Sequence, residues 1–215
     1  NSKIMGLSNE SKNNIFVKLK IDKDTDTPFF YRMEKKGETW VESETYTKAE
    51  GYLKGIKVET YTWEGKEKQS MKITLQDPNA DGAIVISAGF NNMTRSMLNS
   101  IAGCDVIGLL ELKAAKWGKG EKKYPTIFVQ NNGQKTGWKF TMAELPQVEQ
   151  VKNKKGEVVS VDDSEANDFF KNVINIDILP KIVSEFDVER EMKTNKPELK
   201  KEIVAQPVID DGLPF

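Results

Sequence analysis

Four lysines and two aromatic rings crowd the segment Lys116 to Tyr124 (KWGKGEKKY). Lys116, Lys119, Lys122 and Lys123 stand against a single acid, Glu121, with Trp117 and Tyr124 near the ends and Gly118 and Gly120 loosening the backbone. Cations that neutralise phosphates, interleaved with flat rings on which bases stack, are the equipment for holding a single-stranded nucleic acid. The mixture continues into neighbouring alternating runs. If Met71, Ile73 and Leu75 point inward, Ser70, Lys72 and Thr74 point out; Lys57, Tyr61 and Trp63 share that outer phase after a break near Gly55, as do Lys113 and Trp117. Tyr124 and Phe128 lie opposite in phase to the apolar Ile127 and Val129. The candidate contacts are therefore Lys57, Tyr61, Trp63, Lys72, Lys113, Lys116, Trp117, Lys119, Lys122, Lys123, Tyr124 and Phe128. Each ring taken alone reads equally well as a cross-strand packing partner, and the loop alone as a solvated turn; the combined pattern carries the argument.

Catalytic chemistry has little to work with. The chain contains no histidine and one cysteine, Cys104, which removes Ser-His and Cys-His nucleophilic catalysis, an intrachain disulfide and a cysteine-based zinc site. Asp22-Lys23-Asp24-Thr25-Asp26 opens like a calcium loop, but Thr27 and Met33 stand where the glycine and the closing glutamate belong. Gly118-Lys119-Gly120 lacks the spacing of a phosphate loop. Glu111-Leu112-Lys113, with Asp77 or Asp105 upstream, fits the carboxylate-and-lysine core of a metal-dependent nuclease and stands as an alternative. The expectation is a binding protein without metal or cofactor.

These side chains must be positioned by a body of about one domain: 215 residues, 38% hydrophobic and 30% charged. The net charge of −1 hides an asymmetry, since residues 1–139 carry 22 basic against 17 acidic groups (+5) and residues 140–215 carry 10 against 16 (−6). A basic front suits a polyanion; the acidic rear needs another role. No apolar run approaches the roughly 18 residues of a membrane span, and Asn1 to Asn14 lacks the plan of a secretion signal, so a cytoplasmic location without membrane contact is expected.

All four Trp and all five Tyr fall between Tyr31 and Trp138, where turn signals separate strand-like runs. Ile15 to Ile21 is a candidate strand, and Phe29 to Lys35 with Glu38 to Tyr46 forms a hairpin turning at Lys36-Gly37. Gly51 to Trp63, bent near Gly55, turns at Glu64 to Lys66 into Lys68 to Asp77, and Ala83 to Ser87 follows. Asn92 to Ala102 reads as an amphipathic helix with Met93, Met97 and Ile101 on one face, an Asn cap and a stop at Gly103. Asp105 to Ala115 and Pro125 to Gln130 are strands joined by the basic loop. Three strands, a helix and two strands is the element order of an OB-fold, a five-stranded Greek-key barrel. The fold expected is mainly β: a strand extension over residues 1–50, the barrel over 51–140, a C-terminal extension over 141–193, and a linker and tail over 194–215. Glu149 to Glu157 reads as an exposed loop. Ser164 to Leu179 is ambiguous, with Phe169, Val173 and Ile176 at helical spacing and Ile174, Ile176 and Ile178 alternating like a strand.

The chain closes on Asp210-Asp211-Gly212-Leu213-Pro214-Phe215. This tip resembles that of the bacterial and phage single-stranded-DNA-binding protein family, in which acidic residues precede an Ile/Leu-Pro-Phe end. The departures, Gly212 in place of a third acid and about fifty residues before the barrel, point to a phage-type member, which would act in the cytoplasm of a bacterial host. The resemblance implies sequence-nonspecific binding and protection of single-stranded DNA in replication, recombination and repair. It also implies recruitment of partner proteins by Asp210, Asp211, Leu213, Pro214 and Phe215, and it leaves homo-oligomerisation open. Physically, Phe215 can fill an apolar pocket while the aspartates meet a basic rim. A tail-only decoy of host replication proteins is the remaining alternative.

Overall fold

The computed structural model describes residues 14–76, 82–120, 122–152 and 158–183. Alternating runs rich in Val, Ile, Thr and aromatic residues form nine strands: β1 (Ile15–Ile21), β2 (Pro28–Lys36), β3 (Thr39–Tyr46), β4 (Lys48–Trp63), β5 (Lys66–Gln76), β6 (Ala83–Gly89), β7 (Leu109–Lys119), β8 (Lys122–Asn131) and β9 (Gln134–Lys135). They make one mixed sheet of order β3-β2-β1-β6-β5-β4-β7-β8-β9. Every pairing in it is antiparallel except β1 with β6.

The fold is thus mainly β, but it is not the closed five-stranded ring expected from element order. The N-terminal strands explain the difference: β1 pairs along one edge of β6 while β5 takes the other, so β6 has no edge left for β8. Residues 15–46 are consequently part of the same sheet as the strands that follow. The sheet still curls strongly, and β2 comes to lie against β7 and β8. At this seam the Lys116 ammonium donates to the Thr25 carbonyl.

Strand β4 makes the curl possible by changing partners. Its first part, Lys48 to Tyr52, pairs with β7, and Tyr52 to Trp63 pairs with β5. A bulge between Leu53 and Gly55 marks the phase break that the glycine predicts. The steric demand for glycine lies one turn of the pleat earlier. A Cβ at Gly51 would sit 2.6 Å from the Gln76 carbonyl oxygen and 2.9 Å from Leu75 Cβ, so the crossing of β4 over β5 admits no side chain there.

Helix α1 (Asn92–Ala102) follows the sequence reading. Asn91 Oδ1 accepts from the Thr94 N–H at 3.2 Å, and Thr94 Oγ1 accepts from the Asn91 N–H at 2.9 Å, a reciprocal cap. Its Met93, Met97, Leu98 and Ile101 are buried with Ile73, Leu75, Ile86, Leu110 and Leu112 in one core.

The C-terminal part resolves the ambiguity of Ser164 to Leu179 in favour of helix. Helix α2 (Ser164–Val173) continues into a π-helical turn (Ile174–Ile178) and a 3-10 turn at Leu179–Lys181. The buried stripe is Ala166, Phe170, Val173, Ile174 and Ile178, rather than the face through Phe169 and Ile176; Ile176 is 70% exposed. The strand-like alternation of Ile174, Ile176 and Ile178 misleads because the wider π turn places Ile174 and Ile178 on the same side. Arg95, 6% exposed, fastens α2 to α1: it donates to Asn167 Oδ1 at 2.9 Å and Asn92 Oδ1 at 2.8 Å and pairs with Asp163 at 3.2 Å. Burial pulls the Arg95 guanidinium below its ordinary pKa, and Asp163 offsets part of that.

Two segments read as loops are paired backbone instead. Residues 149–152 and 158–162 form a separate hairpin, β10 (Glu149–Lys152) with β11 (Val158–Asp162). The basic loop Lys116 to Tyr124 is the end of the β7–β8 hairpin, paired up to Lys119 opposite Lys122. Residues 77–81 between β5 and β6, the linker from 194 and the acidic tip Asp210 to Phe215 lie outside the described residues. Among the described residues no helix is long and apolar enough to cross a membrane.

Candidate nucleic-acid interface

The β7–β8 ribbon extends the strand period past the point where β4 stops pairing with β7 at Lys48–Lys113. Apolar residues therefore occupy its inner phase only near the base, where Leu112, Ala114, Ile127 and Val129 are buried. The opposite phase faces out. Along it, cross-strand pairs follow in order: Lys113 with Phe128, Ala115 with Thr126, Trp117 with Tyr124, Lys119 with Lys122. Trp117 is 64% exposed, Tyr124 59% and Phe128 40%. A ring pair thus lies between lysines at the base and the tip, and each two-residue step advances about 6.8 Å along the ribbon.

The charges on this face are uncompensated. Lys113, Lys119 and Lys122 make no ion pair among the described residues, and neither does Lys123, whose position opposite Gly118 puts it in the other phase. Lys119 and Lys122 stand directly opposite each other, an arrangement that destabilises a strand pair unless an anion lies between or above them. Gly118 keeps the ribbon narrow at this point, since a Cβ there would run into the Lys122 carbonyl. Lys116 departs from its neighbours: it lies in the inner phase, and its ammonium is engaged by Thr25.

The second group of candidates lies on the outer face of β4 and β5. Lys57 is paired with Lys72 across the strands, and Tyr61, 45% exposed, with Lys68. Here the cations are compensated: Glu59 lies 2.7 Å from Lys72 Nζ and 3.4 Å from Lys57 Nζ. Lys72 first, then Lys57, holds the Glu59 carboxyl below its ordinary pKa, so it is ionised at neutral pH. The backbone of Trp63 ends β4 opposite Lys66, and its side chain lies outside the described residues.

Part of the carboxylate-and-lysine constellation is engaged in ion pairs. Glu111 and Glu50 both hold Lys48, each at 2.7 Å, and Glu111 in the first place raises the Lys48 pKa above its ordinary value. Lys113 shares the outward phase with Glu111, Asp105 is exposed in the turn before β7, and Asp77 lies outside the described residues. No group of three or more His, Cys, Asp or Glu residues able to hold a metal occurs among the described residues.

Residues that the sequence reading passed over come to the same surface. The outward phase of β1 and β2 presents Phe16, Lys18 and Lys20 beside Met33, Tyr31 and Phe29. Phe16, 41% exposed, meets Trp40, 50% exposed, edge to face at 5.2 Å, and Lys20 Nζ lies 4.4 Å above the Tyr31 ring. The alternation in Ile15 to Ile21 contains that signal; what it lacks is which strand β1 joins. No family model, curated protein or solved structure matches the chain.

Proposed function

We propose that the protein binds single-stranded nucleic acid, with the β7–β8 ribbon as its principal arm. The observation that carries this reading is the ribbon's outward face, where exposed Trp117, Tyr124 and Phe128 share a strand phase with Lys113, Lys119 and Lys122, which no carboxylate among the described residues neutralises. A strand laid along it stacks bases on the rings, and its phosphates relieve the repulsion between Lys119 and Lys122. Stacking on ring faces accepts any base, so binding is sequence-tolerant.

An OB-type body is the finer reading of the fold. In its support, β6-β5-β4-β7-β8 forms a contiguous part of the sheet in which a bent first strand is shared between two partners, with α1 between β6 and β7. By its resemblance to the single-stranded-DNA-binding family, the motif at Asp210 to Phe215 recruits partner proteins, which places the protein in phage-type replication, recombination or repair. The test is anisotropy of a fluorescent oligo-dT of about 30 nucleotides at two salt concentrations, read with intrinsic Trp quenching and in EDTA. Salt-sensitive binding with quenching is expected; no binding at low salt overturns the reading and leaves only the tip.

Glu59 supplies a test with the opposite sign. Glu59→Gln releases Lys57 and Lys72, and the expected result is tighter oligo-dT binding at low salt, by about three- to tenfold. The slope of log affinity against log salt should steepen, by up to roughly 1.4 for two added phosphate contacts at about 0.7 each. A gain of this kind is not produced by a damaged fold.

A further inference from the structure

The parallel pairing of β1 with β6 aligns outward-facing residues from six strands into one row. Lys57 on β4 is opposite Lys72 on β5, which is opposite Ser87 on β6, then Lys18 on β1, Tyr31 on β2 and Thr45 on β3. With strands about 4.8 Å apart, the row spans roughly 24 Å across the sheet. The adjacent row runs Thr74, Val85, Phe16 and Met33, and it ends beside the exposed Phe16–Trp40 pair.

We infer that this row is a second segment of the binding track, over which the same nucleic acid strand crosses β5, β6, β1 and β2 toward Trp40. The inference rests on the reading of the ribbon as a nucleic-acid arm and adds a site where the sequence shows only an extension. Three observations select a single-stranded polyanion as occupant. Lys18 sits mid-row, exposed and without a carboxylate partner among the described residues. Phe16 and Trp40 offer exposed ring surface on one side of it, and the half-buried Tyr31 lies opposite it with one ring face under Lys20. Ser87 and Thr74, small and uncharged, leave the floor between Lys72 and Lys18 open to a backbone. Glu42 and Glu59 on this face are each held by lysines, at 2.6 Å from Lys20 and 2.7 Å from Lys72, and Asp22 accepts from the Tyr31 hydroxyl at 3.3 Å.

The test compares the full chain with its Lys18→Gln and Trp40→Ala variants, using oligo-dT of about 8 and about 30 nucleotides. Both side chains are exposed, and thermal melts alongside verify that the fold is kept. For the long oligonucleotide, Trp40→Ala should weaken binding about fivefold or more, and Lys18→Gln should lower the salt slope by about 0.7. The short oligonucleotide, which cannot span both segments, should be affected at least threefold less by either. If Trp117→Ala weakens the long oligonucleotide while both N-terminal variants leave affinity and slope unchanged, the second segment is overturned and the ribbon reading survives. Failure of the unaltered protein to bind either length overturns both. If Trp40→Ala instead lowers the sedimenting mass with oligonucleotide binding unchanged, the face joins copies of the chain and the inference is overturned.

Discussion

Replacing Trp117 and Tyr124 together with alanine should weaken oligo-dT binding by about a hundredfold, with the melting temperature close to that of the unaltered protein. The estimate follows from stacking, about 1 to 3 kcal/mol per base lost on each ring, at 1.4 kcal/mol per tenfold. Both rings are more than half exposed, so little core packing is lost with them. The lysines around them contribute a separable, salt-dependent part. Changing Lys119, Lys122 and Lys123 to glutamate together should reduce the slope of log affinity against log salt by at least about 2, three contacts at roughly 0.7 each. Lys122→Glu alone separates binding from stability. It places a carboxylate opposite Lys119 and replaces a like-charge pair with an ion pair, which stabilises the ribbon by about 0.2 to 1 kcal/mol. Yet it should weaken nucleic acid binding. A parallel change in melting temperature and affinity, both falling, would count against a functional origin of the Lys119–Lys122 opposition.

Asn99→Ala should be among the most destabilising single substitutions on α1. Asn99 is fully buried, and its side chain bonds the Phe140 backbone in both directions, donating from Nδ2 to the carbonyl at 2.8 Å and accepting from the N–H at 2.9 Å. The Asn99 backbone carbonyl also accepts from the Lys139 N–H at 3.2 Å. Truncation orphans two polar groups of the segment that follows β9, at a cost of about 2 to 4 kcal/mol. For a chain of this size that is a fall of roughly 5 to 15 °C in melting temperature. The same segment carries Phe140, which packs edge to face on Phe169 at 5.1 Å, so amide exchange should quicken in both the Phe140 region and α2. A shift under 1 °C would mean that the Phe140 contacts with Asn99 are exchanged for water at no net cost.

Local features of the chain were legible where a short-range pattern decides them. The alternation in β5 predicts that Met71, Ile73 and Leu75 are buried, and all three are fully so. The cap and apolar spacing of α1 are local too, since helical bonds and caps reach only three or four residues. The basic segment from Lys116 to Tyr124 misled because its two glycines and run of lysines suggest a loop. Strand pairing overrode that composition, as Gly118 allows the backbones to approach and the flanking strands propagate their ladder. In Ser164 to Leu179, periods of two and of 3.6 overlapped, and only packing on α1 through Arg95 and Phe170 selected the helix and its inner face.

By itself the sequence determined the centres of strands β1 to β8, the capped helix and the phase in which Lys113, Trp117, Tyr124 and Phe128 face away from the apolar residues. Those outcomes follow from backbone geometry repeating every two or 3.6 residues. Only the tertiary structure decided that β1 pairs in parallel with β6, that β4 divides itself between β7 and β5 at Tyr52, and that Lys18 and Tyr31 therefore continue the row begun by Lys57 and Lys72. Partner and register of strands separated by some seventy residues depend on which closure of the chain buries the most apolar surface at the least loss of entropy. That is a property of the whole sheet, and no window of its sequence contains it.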